Sequence, residues 1–452
     1  MKTINPANGE AERAFPTWDT RELDRALADV ATAAPTWRAT TIGERAAILR
    51  RAAAELRARR DEYAALITLE MGKLTREAQA EIEKCAWGCE HYAEHGAAYL
   101  RDEPVVTDAA RSFIAYEPLG TVLAVMPWNF PFWQVFRFAA PALLAGNTAV
   151  LKHASNVPQC AAAIETVWRR AGLPEHAFRW LRIGADRVER VIADPRVHAV
   201  TLTGSDAAGR QVAAAAGAHL KKTVLELGGS DAFVVLADAD LDQAAAQGVA
   251  ARFQNAGQSC IAAKRFIVVD AIAADFLAKF RERVAALKPG DPHDPDTTLA
   301  PLARADLRAQ LHEQVRDSIA AGARPLLGCE PLPGPGFYYS ASILDRVTPG
   351  MRAYDEELFG PVATVIRARD EADALRIANT SRFGLGASVW TRDVAQGERM
   401  ARAFAAGSCF VNGIVKSDPR LPFGGVKDSG YGRELSAHGI REFVNIKTVW
   451  IR

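Results

Sequence analysis

The sequence predicts an α/β fold with two sheet-bearing domains in series, and three observations point there. Apolar residues recur three and four apart through the first part of the chain, up to about residue 100. Short β-rich runs then begin at Thr121 and alternate with Ala-rich stretches, the pattern of β-α-β crossovers in a parallel sheet. A second alternation of the same kind follows Cys260.

Taken in order, helices are expected over 23–37, 42–69 and 74–100, where Ala, Arg and Glu support the periodicity. Strands are expected at 121–125, 148–151, 199–203, 223–227 and 232–236. Beyond Cys260, strands at 265–269, 361–366, 387–390 and 408–412 are separated by helices at 274–287, 303–321 and 371–379. Proline and glycine gather at 288–301 and 331–337, which read as surface loops within the second domain.

Composition narrows the function classes. The 452 residues are 49% hydrophobic and 24% charged, and 55 basic against 54 acidic side chains leave a net charge of +1. That balance lacks the electrostatic footprint of general nucleic-acid or membrane-surface binding, so neither partner is expected. No run approaches the ~20 apolar residues of a membrane span, and Met1 to Pro6 have no apolar signal core. The 6 cysteines are scattered rather than framed as disulfides, which fits reduced thiols in the cytoplasm. Cys85, Cys89 and His91 sit inside a helical pattern without a second pair of ligands; zinc needs about four converging ligands, so no metal site is expected.

Three segments carry residue types suited to carbonyl chemistry. Cys260 follows the small, Gly-containing run Asn255-Ala256-Gly257-Gln258-Ser259, where a thiolate can meet a flat carbonyl without obstruction. Glu226 ends an apolar strand and runs into Gly228-Gly229, a place where burial raises a carboxyl toward general-base range. Asn129 stands between Pro127 and Pro131, a rigid amide of the kind an oxyanion needs. Each alone has a plainer reading: an inert packed cysteine, a strand-end Glu paired with a surface Arg, and an Asn that stabilises its turn.

Together with Lys152-His153-Ala154-Ser155, Thr203-Gly204-Ser205, Glu356-Glu357-Leu358-Phe359-Gly360-Pro361 and Pro422-Phe423-Gly424-Gly425-Val426-Lys427, these segments resemble the aldehyde dehydrogenase superfamily over essentially the whole chain. The resemblance implies a Rossmann-like cofactor domain (1–100 and 118–228), an α/β catalytic domain (229–433) and small β oligomerisation segments (101–117 and 434–452). It implies Cys260 as nucleophile, Glu226 as the base that activates water against a thioester, and Asn129 as oxyanion donor. For the cofactor it implies Lys152, Ser155, Gly204 and Ser205 on the adenine and pyrophosphate side. Glu357 and Phe359 fall on the nicotinamide side, Trp128 lines the same cleft, and Leu227 and Gly228 complete the cofactor-binding set.

No Gly-x-Gly-x-x-Gly follows any strand. Ser155 occupies a position where many NAD-using relatives carry Glu, whose charge repels a 2′-phosphate. NADP or NAD is therefore expected, with NADP favoured, and Lys152 and His153 are the cations expected to draw the phosphate.

The likeness is nearest the succinate-semialdehyde dehydrogenase branch, through Lys152 to Val157, Glu226 to Ala232 and the short N-terminus. It implies Arg137, with Ser417 or another basic residue, as the holder of the substrate's far carboxylate. A second branch arginine is replaced by Gln254, and a second cysteine two residues past the nucleophile by Ala262. Glutarate semialdehyde or an uncharged aldehyde are the neighbouring readings for the substrate; transfer to coenzyme A and a non-catalytic scaffold are the rivals, against which Glu226 and the intact set count. A homodimer or homotetramer is expected, because 101–117 and the alternating run from Phe443 to Trp450 read as edge strands.

Overall fold

The computed structural model describes residues 1–452. After a small antiparallel pair, Lys2–Ile4 with Ala11–Ala14, come four helices: Thr20–Ala39, Ile42–Ala58, Arg60–Met71 and Thr75–Tyr99. The expected single helix over 42–69 breaks at Arg59, whose ψ of 27° departs from the helical value. No glycine or proline marks that break.

The first sheet has six strands, in the order Gly430–Tyr431, Lys222–Glu226, Val197–Thr203, Thr121–Met126, Thr148–His153, Phe178–Trp180. All neighbours run parallel except the Gly430–Tyr431 edge. The order reverses at Thr121–Met126: the next two strands build outward on one side, and Val197–Thr203 returns to the other. Ligands of open α/β sheets bind at such a switch point, beyond the carboxyl ends of the strands. Here those ends deliver Pro127-Trp128-Asn129 and Gly204-Ser205.

A seven-stranded sheet forms the other half, with Asp231–Val235 between Ala263–Val269 and Gly386–Trp390. The strand alternation alone runs on into Asp231–Val235, which belongs to this second sheet, in the part of the chain beyond 229. Only four residues separate it from Lys222–Glu226, so the carboxyl end of one sheet faces the amino end of the other. Glu226 stands on one side of that seam. Cys260, three residues ahead of Ala263–Val269, stands on the other.

The third sheet corrects an expectation. The edge strands predicted near the N-terminal extension and the C-terminus pair with each other: Val444–Ile451 runs antiparallel to Arg111–Pro118 over its full length. Glu103–Pro104 covers the far side of Arg111–Pro118. The long free edge is that of Val444–Ile451, beside the exposed apolar side chains Ile446, Trp450 and Ile451. No helix is long and apolar enough to cross a membrane.

Candidate active site

The nucleophile loop is strained and clamped. After helix Leu241–Phe253, Asn255, Ala256 and Gly257 take φ of 56°, 52° and 72° in succession, a left-handed region in which a Cβ is penalised. At Gly257 a Cβ would also lie 2.7 Å from the Gly360 carbonyl carbon. Arg252, fully buried, holds this turn by donating to Val362 O at 2.7 Å, Leu358 O at 2.8 Å and Gly257 O at 3.3 Å, and to Gly360 O. From the other side Lys264 Nζ donates to Ser259 O and Cys260 O, both at 2.7 Å, and pairs with Glu357 Oε1 at 3.0 Å. The backbone on both sides of the Cys260 thiol is thereby fixed.

Asn129 is brought against this loop. Its amide nitrogen donates to Gln258 O at 3.1 Å, and Asn255 Nδ2 donates to Asn129 O at 3.0 Å. A carboxamide carries two N–H groups, so one donor remains for a further acceptor. The segment is anchored by Glu81, which accepts from the Phe132 and Trp133 amides at 2.9 and 3.0 Å. This carboxylate caps helix Trp133–Leu144, whose first N–H groups have no partner of their own. Glu81 is itself held by a buried ion pair with Lys73.

Glu226 is buried and faces the thiol. Burial raises its carboxyl above the ordinary range, while Arg137, donating from Nη2 at 3.1 Å, pulls it back. Burial likewise pushes the Cys260 thiol well up, the Glu226 charge adds to the rise, and Arg137 and Lys264 oppose it. Burial thus keeps the resting thiol protonated, facing the Glu226 carboxyl group.

The predicted catalytic and cofactor residues largely converge. Trp128, Asn129, Gly204, Ser205, Glu226 and Cys260 line one cleft of about 360 Å³ together with Leu227, Gly228, Glu357 and Phe359. Trp128 and Phe359 meet edge to face, with centroids 5.7 Å apart. Ser205 caps helix Asp206–Ala218 by accepting from Ala208 N, leaving the helix's first amides at the cleft, as an anion requires. A Cβ at Gly228 would collide with Glu357, so glycine is needed for that carboxylate to approach the backbone, where it accepts from Gly229 N at 3.1 Å.

Lys152 and Ser155 lie apart from that cleft, at the carboxyl end of Thr148–His153, the strand beside Thr121–Met126. Lys152 is buried without any ion pair, and burial lowers its pKa; a buried ammonium of this kind fits an anionic ligand. Ser155 is exposed in the turn that follows. The open helix N-terminus, the unpaired Lys152 and the glycine-enabled approach of Glu357 all fit a phosphorylated dinucleotide.

Three of the expected residues already have partners within the protein. Arg137 is buried and its guanidinium is already engaged: Glu226 at 3.1 Å, Glu434 at 2.6 Å, Thr203 Oγ1 at 3.2 Å and the Phe423 ring 4.9 Å away. It thus bridges two carboxylates. His153 is buried, its Nε2 lies 2.9 Å from Pro131 O, and burial lowers its pKa to about 4. It is neutral at physiological pH and adds no charge toward a phosphate. Ser417, expected beside Arg137, instead accepts from Lys84 Nζ at 2.7 Å and Trp133 Nε1 at 3.2 Å.

Arg252, Lys264, Glu81, Lys84 and Glu434 are absent from the sequence-based set. Their partners are mostly backbone carbonyls or amides, or carboxylates far along the chain, and such contacts leave no local pattern. Glu434 carried the one available signal, since it follows Gly430-Tyr431-Gly432-Arg433 just beyond a recognised motif.

Comparison with known proteins agrees with this geometry. The Aldehyde dehydrogenase family matches residues 1–449. A Synechocystis protein named probable succinate-semialdehyde dehydrogenase (NADP+) is 52% identical over 451 residues, which cover 100% of this chain and 99% of the relative. Succinate-semialdehyde dehydrogenase (NADP+) 1 of Mycobacterium tuberculosis is 51% identical over 456 residues, with coverage of 100% and 99%. The crystal structure of succinic semialdehyde dehydrogenase from Streptococcus pyogenes in complex with NADP+ superposes with a TM-score of 0.98 at 39% identity, covering 100% of this chain and 99% of that one. With a strained cysteine loop, a facing carboxylate and an amide donor gathered at the seam of two sheets, and with these matches along its whole length, the chain belongs to the aldehyde dehydrogenase family.

Proposed function

We propose that the protein oxidises succinate semialdehyde to succinate with NADP, through a thioester on Cys260. The observation that carries the chemistry is the facing of the Cys260 thiol and the buried Glu226 carboxylate. The substrate and cofactor follow from relatives of that name at 51–52% identity over the full chain.

Cys260 gives up its thiol proton to solvent, and the resulting thiolate attacks the aldehyde carbon, forming a C–S bond and an oxyanion. The free N–H of Asn129 and the Cys260 backbone N–H hold that oxyanion. The cofactor, when bound, supplies the hydride acceptor that makes the adduct a thioester. Glu226 then accepts a proton from water, hydroxide adds to the thioester, and the C–S bond breaks with the thiolate leaving. Lys264 and Arg252 keep the loop from shifting during both additions, a matter of positioning. When the cofactor is bound, Gly204 and Ser205 would meet its pyrophosphate at the helix N-terminus, Lys152 and Ser155 would hold the adenine-side ribose and its phosphate, and Glu357 would hold the nicotinamide-side ribose.

The assembly we propose is a homo-oligomer built on the free edge of Val444–Ile451, because an unpaired strand with exposed Ile446 and Trp450 invites pairing with another copy. Light scattering that finds only monomer would remove this reading. Steady-state kinetics with succinate semialdehyde, glutarate semialdehyde, butanal and benzaldehyde, each with NAD and NADP, tests the function. The highest kcat/KM is expected for succinate semialdehyde with NADP; equal values for charged and uncharged aldehydes would overturn the substrate.

A further inference from the structure

Helix Thr75–Tyr99 belongs to the N-terminal bundle, yet it reaches both of the loops that meet at the nucleophile. Glu77 and Glu81 are one turn apart on it, so their side chains project from the same face. Glu81 holds the Phe132 and Trp133 amides, and its partner Lys73 sets its ammonium over the Phe130 ring, 3.8 Å from the centroid. Those aromatic residues follow Asn129 closely. Glu77 turns to the other loop, where its Oε1 accepts from Asn255 N at 3.0 Å.

The Asn255 amide needs that acceptor. Helix Leu241–Phe253 ends just before it, Gln254 turns to an extended ψ of 137°, and Asn255 opens the left-handed run of the nucleophile loop. Its N–H therefore has no carbonyl one turn back, and the residue is buried away from water. A buried N–H without a partner is costly. Glu77 satisfies it at the residue where the strained turn begins.

Asn255 in turn ties the two loops together. Its Nδ2 donates to Asn129 O and to Gln258 O, each at 3.0 Å, and Asn129 Nδ2 donates to the same Gln258 O at 3.1 Å. Asn129 is thus held twice from one helix: through Phe132 and Trp133 after it, and through Asn255 at its own carbonyl. The Glu77 carboxylate stands in the first turn of the helix, where the dipole favours negative charge, and its Oε2 is shielded without a partner. Burial raises its pKa, which the Asn255 amide and Lys73 oppose. A carboxyl oxygen accepts from N–H in either ionisation state, so the contact does not depend on the charge.

We propose that Glu77 is a positioning residue for the oxyanion site: together with Glu81 it makes helix Thr75–Tyr99 the common support that sets Asn129 against Cys260. The inference rests on the thioester chemistry proposed above and is independent of which aldehyde is oxidised. Glu77 touches no reacting atom and acts through Asn255.

The test is a double-mutant cycle on the first turnover, read by stopped flow as reduced cofactor formed with saturating NADP and the aldehyde that wild type oxidises fastest. Glu77→Met is expected to slow this step about 10- to 100-fold, the range for a reacting group displaced by about 1 Å, with KM for NADP unchanged. Glu77→Gln keeps an acceptor for Asn255 N and is expected to recover most of the loss. In an Asn129→Ala background, Glu77→Met is expected to cost no more than about 2-fold, because the group it positions is gone. Asn255→Gly keeps the left-handed backbone and removes the side-chain link. It is expected to show the same loss and the same masking by Asn129→Ala, and it decides the matter where Glu77→Met folds poorly. An unchanged first turnover in Glu77→Met or in Asn255→Gly overturns the inference, as does a loss of equal size in both backgrounds, or a loss in Glu77→Gln as large as in Glu77→Met. If Asn129→Ala is as fast as wild type, the oxyanion reading fails and this inference with it; if Asn129→Ala is slow and Glu77→Met is not, the inference alone fails.

Discussion

Arg137 joins Glu226 to Glu434, with Nη2 at 3.1 Å from one carboxylate and Nε at 2.6 Å from the other. All three groups are buried. Removing the cation leaves two buried carboxylates facing each other, and breaking such a pair from one side costs roughly 3–5 kcal/mol. Arg137→Met is expected to lose about that much stability in denaturant unfolding, while Arg137→Met combined with Glu434→Gln recovers part of it. A single variant as stable as wild type would show that the bridge contributes nothing.

The same bridge sets a pH dependence. Arg137 lowers the pKa of Glu226, and Glu434, itself raised to about 7 by burial, competes for the same guanidinium. Glu434→Gln removes the competing negative charge and leaves Arg137 to act on Glu226 alone. The pKa of Glu226 then falls, so the acid limb of the kcat profile is expected to move to lower pH. A limb that stays in place or moves up would mean that Glu434 does not act through Arg137.

Lys264 ties both carbonyls flanking the nucleophile to Glu357. Lys264→Met frees the Cys260 peptide and releases Glu357, so both chemistry and cofactor affinity suffer. A displacement of about 1 Å at a reacting group costs on the order of 100-fold in rate. Stopped-flow measurement of the first turnover, with KM for NADP in parallel, is expected to show both losses; a variant impaired only in KM would limit Lys264 to holding Glu357.

Ser155 leaves room for a phosphate that a carboxylate would repel. Ser155→Glu is expected to raise KM for NADP about 10- to 100-fold while changing KM for NAD far less. Equal changes for the two cofactors would place the 2′-phosphate elsewhere.

Much of this was legible from the chain because it is local. The strands that carry Asn129, Glu226 and Gly204 are short β-branched runs, and their ends coincide with the motifs within about two residues. Cys260 announces itself by the small residues around it. The bridge through Arg137 is not legible because its partner Glu434 lies near the other end of the chain, and a cation looks the same in sequence whether it is free or bridged. The break at Arg59 was hidden because apolar spacing continues through it, and the sheet joined by Asp231–Val235 is decided by partners 30 or more residues away.

The central claim is that Cys260 carries the acyl group and Glu226 releases it. Pre-steady-state formation of reduced cofactor by Glu226→Gln with succinate semialdehyde, followed by intact-protein mass measurement, tests it most directly. The account predicts a burst near one equivalent per subunit, a slow steady state and an acyl adduct on Cys260. Absence of both burst and adduct in Glu226→Gln, with wild type active under the same conditions, would contradict it.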